Sequence, residues 1–367
     1  MDEKLLKREE RAVFALRGLY RRYGYLPFKM SKFEEYELYA RNKDFLMSDR
    51  VITFTDTNGR LMALKPDVTL SIVKKGEDRP GVKQKLCYDE SVYRPSGSTG
   101  QYKEITQTGL ECIGDVDGYD VYEVVSLAVE SLRLVSESFV LELNHLGLLT
   151  ALLDAISPDA QLRRLLARCV AGKNRHDLRR IAAENALPEA ATETLCACAG
   201  VYGELGAALE ALEPLCAGEA AQKALKELKA LYALLRESGQ AEYAVFDFSL
   251  VSDVQYYNGI VFRGYLPGLA ESVLSGGQYD RLLRRMGRRS RAVGFALYLD
   301  RLEELGGEER AWDVDVLLLY DAAVPPERVS AAVQSLTAQG KSVSAQKAVP
   351  DRLRYRELCD LRGEGQA

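Results

Sequence analysis

Apolar positions at 5, 6, 13, 14, 16, 19 and 20 recur at helical spacing, which predicts an amphipathic helix from Leu5 to Tyr23 ending near Gly24. Phe28 to Tyr39 reads as a short strand running into a helix. Val51–Phe54 and Leu61–Leu64 flank Asp56-Thr57-Asn58-Gly59, a hairpin signal, because Asn-Gly favours a tight turn between strands. Pro66 stops the second arm, and a helix follows from Leu70 to Lys75. Asp67 or Thr69 can cap it, which is the purely structural role open to both.

The longest alternating stretch lies between Tyr88 and Gly114. Two extended runs flank Pro95-Ser96-Gly97-Ser98-Thr99-Gly100, which is dense in turn formers. Strand side chains alternate, so the return run puts Lys103, Ile105, Gln107, Gly109 and Glu111 on one face. Gln107 and Glu111 then flank a bare glycine. That arrangement suits a small molecule lying on the sheet, although a solvated hairpin surface gives the same pattern.

Asp120 to Glu137 has helical periodicity. From His145 to Gly239 the chain becomes rich in Ala, Leu, Glu, Lys and Arg and reads as all-helical, broken at Pro158, Gly172, Pro188, Gly203, Pro214 and Gly239. Strand character returns at Ala244–Phe248. A second hairpin is expected about Asn258-Gly259, its arms running from Val254 to Tyr265. Ser275–Asp280 precedes a basic helix, Arg281 to Arg285, and Ala292–Leu302 reads as a strand entering a helix. The tail reads as β-α-β over 314–320, 326–339 and 342–346.

A chain of 367 residues, 47% hydrophobic and 28% charged, has the composition of a globular protein with two or three domains. A net charge of −5 gives no global basic field of the kind nucleic-acid binders carry, though it leaves room for a local basic patch. Seven cysteines without a paired metal-ligand spacing, and only two histidines, argue against a zinc site. The odd cysteine count and the charged N-terminus favour a reducing cytoplasm, and no apolar run approaches membrane-spanning length.

Four ordered stretches resemble the class II aminoacyl-tRNA synthetases, and within them the histidyl-tRNA synthetase group. Leu64-Lys65-Pro66-Asp67-Val68-Thr69 is similar to that group's L-R-P-E-G-T, and Tyr93-Arg94 through Gly114 to its motif 2. Leu250–Asn258 resembles L-V-R-G-L-D-Y-Y-N. Ser275–Asp280 with Ala292–Leu302 resembles G-G-R-Y-D and motif 3. The resemblance implies an α+β fold: a class II synthetase-like antiparallel sheet of six or seven strands with flanking helices, dimerising through its N-terminal part. It assigns 1–144 and 240–305 to that core, 145–239 to a helical insertion and 311–367 to a short C-terminal β-α-β remnant. It also implies a histidine pocket. Asp67 and Thr69 would hold the α-amino group, Gln107 the amino-acid backbone, and Glu111 and Tyr257 the imidazole, with Tyr256 and Arg94 completing the set. Carboxylates, an amide and a phenol can satisfy an ammonium and two ring nitrogens.

The departures from the synthetase pattern bear on activity. Ser252 stands where the histidine-specific motif has an arginine, and a serine supplies neither charge nor fork. Ser96 replaces an acidic residue, the motif 2 loop is one residue shorter, and Tyr298 stands at a glycine position beside the expected adenine site. Arg94 and Arg301 remain. A histidine pocket without adenylation machinery is similar to the ATP phosphoribosyltransferase regulatory subunit family. That resemblance implies a subunit with no catalytic residue and no cofactor, acting with a short catalytic subunit in the first step of histidine biosynthesis. It implies homodimers within a hetero-octamer, histidine as feedback effector, no tRNA and no membrane. The alternative is a diverged histidyl-tRNA synthetase paralogue that still activates histidine with ATP.

Overall fold

The computed structural model describes residues 8–46, 50–76, 81–95, 100–250, 257–305 and 311–362. The chain begins with α1 (Arg8–Arg22), which buries Ala12, Leu16, Leu19 and Tyr20 along one stripe. After β1 (Leu26–Pro27), a small antiparallel sheet forms from β2 (Phe33–Glu35), β3 (Thr53–Thr55) and β4 (Leu61–Leu64), with α2 (Tyr36–Arg41) between β2 and β3. Its turn forms as expected. Gly59 takes a positive φ of 78°, and the Asp56 carboxylate accepts from the Asn58 and Arg60 amides at 2.8 Å each.

α3 (Thr69–Lys75) leads into β5 (Lys83–Pro95) and β6 (Tyr102–Gly114), which pair along their whole length with Cys87 opposite Leu110. α4 (Gly118–Val135) starts at a capping box of Asp117 and Asp120. It is followed by β7 (Val140–His145), α5 (Leu146–Ile156), α6 (Ala160–Ala171), α7 (Arg175–Glu184) and α8 (Glu189–Cys198). The segment read as all-helical then contains one strand, β8 (Tyr202–Glu204), before α9 (Leu205–Leu212) and α10 (Glu219–Glu237). β8 is three residues long and takes its hydrogen bonds from β9 (Ala244–Asp247), so a distant partner rather than local preference fixes it.

β10 (Ile260–Tyr265), β11 (Leu274–Gln278), α11 (Asp280–Arg285), β12 (Arg291–Tyr298) and α12 (Leu299–Glu304) complete the first compact unit, Met1–Leu305. The first arm of the second expected hairpin lies, over 254–256, outside the described residues. β10 itself is bonded on both sides, to β7 and β11.

The main sheet has nine strands in the order β1-β5-β6-β12-β11-β10-β7-β9-β8. The six from β5 to β7 are antiparallel; β1 and β9 join in parallel, so the sheet is wider and more mixed than the expected six or seven antiparallel strands. One face packs Leu110, Cys112, Val293, Phe295, Phe262 and Leu143 against α1, α4 and the helices between 146 and 237 in a single core. The other face carries Tyr88, Ile113 and Ala292 beneath α3 and α11. Alternation along each strand thus separates a dry core from the face of Gln107 and Glu111.

The second unit, 306–367, is a parallel sheet ordered β14-β13-β15 from β13 (Val314–Leu319), β14 (Val343–Gln346) and β15 (Tyr355–Asp360). α13 (Pro326–Ala338) joins β13 to β14. Leu318, Val324 and Leu361 form its core with Val329, Val333 and Leu336. The β-α-β reading missed β15, whose Tyr-Arg-Glu-Leu-Cys-Asp sequence is that of a mostly exposed edge strand. Among the described residues no helix is long and apolar enough to cross a membrane.

Candidate functional site

Glu111 is the centre of the site. It rises from β6, is 2% exposed, and uses both carboxylate oxygens. The Thr69 hydroxyl, at the start of α3, donates to Oε1 at 2.8 Å, and the Tyr279 phenol, just before α11, donates to Oε2 at 2.6 Å. Burial pushes the Glu111 carboxyl up to about 8; the two hydroxyls oppose that rise and the nearby Asp67 charge adds to it.

Asp67, not Thr69, takes the capping role: its Oδ1 accepts from the Leu70 amide at 2.8 Å. Thr69 is thereby left to turn its hydroxyl to Glu111. Burial raises the Asp67 carboxyl, while the Leu70 amide, the Arg94 guanidinium, the Thr69 amide and Lys65 pull against it. Arg94, near the end of β5, is buried at 9% exposure. Gln107 is buried on the same face, opposite Glu90 on β5 and Tyr298 on β12.

Three glycines on adjacent strands let these side chains lie down. A Cβ on Gly294, directly opposite Glu111, would occupy the place of the Glu111 carboxylate. A Cβ on Gly109 would come within 2.6 Å of the Tyr88 hydroxyl, and one on Gly277 within 2.8 Å of the Tyr257 ring. The ring of Tyr257 also packs on Leu146, Leu250 and Val261. Burial holds the Tyr88 phenol well above its usual range, with Glu111, Asp67, Tyr298 and Tyr257 acting in the same direction, so these groups converge.

The structure therefore brings together Asp67, Thr69, Arg94, Gln107, Glu111 and Tyr257. Tyr256 lies outside the described residues, as do Ser252 and Ser96. Arg301 is turned to other work: it pairs with Glu271 at 2.5 Å, donates to the Ser272 carbonyl, and sits 5.1 Å over the Tyr298 ring. Two groups were missed by sequence reasoning. Tyr279 sits inside the quoted Ser275–Asp280 stretch, yet its partner is 168 positions away. Fully buried Lys65 donates to Glu90 at 2.7 Å, and Glu90 also accepts from the Met30 amide at 3.0 Å, tying the loop before α3 to β5. The sum is a cluster of buried polar groups, two carboxyls and an amide among them, whose chemistry can pair with an ammonium and a ring N–H.

The family model for histidyl-tRNA synthetase matches residues 1–302. An ATP phosphoribosyltransferase regulatory subunit of Clostridium kluyveri is 31% identical over 317 residues, covering 83% of this chain and 81% of the relative. Another from Oceanobacillus iheyensis is 26% identical over 304 residues, covering 81% and 75%. A crystal structure from Bacillus halodurans C, described as an ATP phosphoribosyltransferase regulatory subunit/histidyl-tRNA synthetase, superposes with a TM-score of 0.77 at 26% identity, covering 96% of this chain and 93% of that one. With this sequence likeness over most of its length, and with the synthetase-like sheet beneath it, the chain belongs to the ATP phosphoribosyltransferase regulatory subunit family.

Proposed function

We propose that this chain is the non-catalytic regulatory subunit of ATP phosphoribosyltransferase, working in the cytoplasm with a short catalytic subunit in the first step of histidine biosynthesis. Its pocket holds free histidine as the feedback effector. The observation that carries the pocket assignment is Glu111, a buried carboxyl steadied by two hydroxyls and adjoined by Asp67. Asp67 takes the ligand ammonium with Thr69 at its side, Gln107 the backbone carboxylate region with Arg94, and Glu111 with Tyr257 the imidazole. Tyr256 adjoins Tyr257 in the chain and is assigned to the same wall.

Regulation then has a defined energetic form. Histidine must bind the less active assembly more tightly than the active one, and a tenfold effect on the equilibrium needs a differential of about 1.4 kcal/mol. Homodimers within a hetero-octamer of equal subunit numbers would carry that coupling, without tRNA. The engagement of Arg301 by Glu271 and Tyr298 supports the lack of adenylation.

The test is reconstitution. Mixing the chain with a short-form catalytic subunit is expected to raise phosphoribosyl transfer, and histidine to lower it again. No change in rate or particle size on mixing would remove the regulatory assignment, and histidine-dependent ATP–pyrophosphate exchange by this chain would replace it with the adenylating alternative.

A further inference from the structure

Asn258 reads in the sequence as a turn former; in the structure its amide and both polar side-chain atoms bond to one remote segment, 278–281. The amide donates to the Gln278 carbonyl at 2.9 Å, Nδ2 donates to Asp280 Oδ2 at 3.3 Å, and Oδ1 accepts from the Arg281 amide at 3.3 Å. Two positions on, the Ile260 amide donates to Gln278 Oε1 at 2.7 Å. Gly259 lets that side chain pass, because a Cβ there would overlap Gln278 Oε1. The segment is fixed from its other side as well. Asp280 Oδ1 accepts from the Ala292 amide at 3.0 Å, and the Tyr279 amide donates to the Ala292 carbonyl at 3.0 Å. Gln278 and Asp280 are 3% and 4% exposed, so water does not compete for this clasp.

Two groups of the candidate site hang on the clasp. The ring of Tyr257, the residue before Asn258, lies over Gly277, and the Glu111 carboxylate lies over Gly294. Gly277 and Gly294 are partners across β11 and β12, so ring and carboxylate occupy neighbouring bare positions, about 5 Å apart at the spacing of strands. Tyr279, within the clasp, donates to Glu111 Oε2 at 2.6 Å. One short segment thus holds Glu111 through Tyr279 and Tyr257 through Asn258. The apolar neighbours of Tyr257, Leu146, Leu250 and Val261, pack its ring without fixing a direction for it, because hydrophobic contact is non-directional.

We propose that Asn258, clasped by Gln278 and Asp280, is a positioning residue that sets the Tyr257 phenol beside Glu111 to read the ligand ring; the ligand itself rests on the function proposed above. Asn258 does not touch the ligand and acts only through Tyr257. A ring with two nitrogens is read by two groups whose separation must match it. Displacing one of them leaves a buried polar group unpaired, and that penalty is where recognition is lost.

The experiment uses the full chain and free histidine, with affinity read by calorimetry and folding by the melting temperature. Asn258→Ala and Tyr257→Phe should each weaken histidine binding at least about tenfold. In the Tyr257→Phe background, Asn258→Ala should cost less than about threefold, because both changes act through one phenol. A merely structural role would cost the same factor in both backgrounds. Asn258→Asp sets a second carboxylate against Asp280 and should bind as weakly as Asn258→Ala. The exchanged pair Asn258→Asp/Asp280→Asn again faces an amide donor with a carboxylate, and should recover to within about threefold of wild type. Should Asn258→Ala not fold, the exchanged pair, which keeps both side-chain shapes, carries the test. Equal losses in both backgrounds, no recovery in the exchanged pair, or full affinity in Asn258→Ala or Tyr257→Phe overturns the positioning role and leaves the histidine pocket standing. If wild type binds no histidine, the pocket reading falls and the positioning role with it.

Discussion

Replacing Glu111 by Gln tests the electrostatics of the pocket without changing its shape. The free carboxyl of the unfolded chain releases its proton near 4.5, whereas in the native protein burial delays release to about 8. Between those values the folded state carries a proton that the unfolded state has lost, so stability falls as pH rises through the window and levels above it. The slope for one such group is about 1.4 kcal/mol per pH unit, and the whole window amounts to about 4–5 kcal/mol. The Gln variant has no such titration. Its amide can accept from one of Thr69 and Tyr279 and donate to the other.

The measurable quantity is therefore the melting temperature of the variant minus that of wild type, followed from pH 5 to 9. Any fixed cost of the substitution moves the whole curve; only titration of Glu111 gives it a slope. The difference should climb by about 5 °C between pH 5.5 and 7.5, taking about 2 °C per kcal/mol for a chain of this size, and flatten beyond pH 8. Asp67 titrates in both proteins and largely cancels. A difference that stays constant within about 1 °C from pH 5 to 8 would refute the argument that burial keeps Glu111 neutral.

Other perturbations are expected to read the same site. Free histidine at millimolar concentration should raise the wild-type melting temperature in step with occupancy, and no shift would sink the pocket assignment. Glu111→Gln should bind histidine at least about tenfold more weakly in calorimetry, since it alters one buried polar contact; equal affinity removes Glu111 from the site. Gly294→Ala should abolish histidine binding and cost about 1–3 kcal/mol in denaturant unfolding, because the new Cβ claims the carboxylate's place; near-neutral stability with intact binding would show that the strand can yield. Lys65→Met should cost about 3 kcal/mol by leaving the half-buried Glu90 without its charge partner, and a change below about 1 kcal/mol would mean that water reaches Glu90.

Local chemistry made parts of this architecture legible. Asn58-Gly59 and the run from Pro95 to Gly100 are turn formers between alternating stretches, and the pairing of β3 with β4 follows from the first as that of β5 with β6 does from the second. Gln107 and Glu111 were readable as one face because the strand period is two. What escaped was decided at long range. β8 exists because β9 offers a free edge, and β15 because β13 does. The reading of Asp67 and Thr69 as interchangeable caps failed on the same ground: Glu111, forty-two positions from Thr69, claims the threonine hydroxyl and leaves the cap to Asp67. Tyr279 and the Lys65–Glu90 pair are likewise contacts between remote segments.

The face-to-face position of Glu111 and Gly294 means that one alignment of β6 with β12 serves both sides of the sheet. A slide by a single residue would bring Phe295 up against the carboxylate and turn the bare glycine position toward the helices. The proposed ligand site and the dry interior therefore cannot drift independently. A substitution among the helices that loosens this alignment would be felt first as lost selectivity for the ligand, well before the chain unfolds.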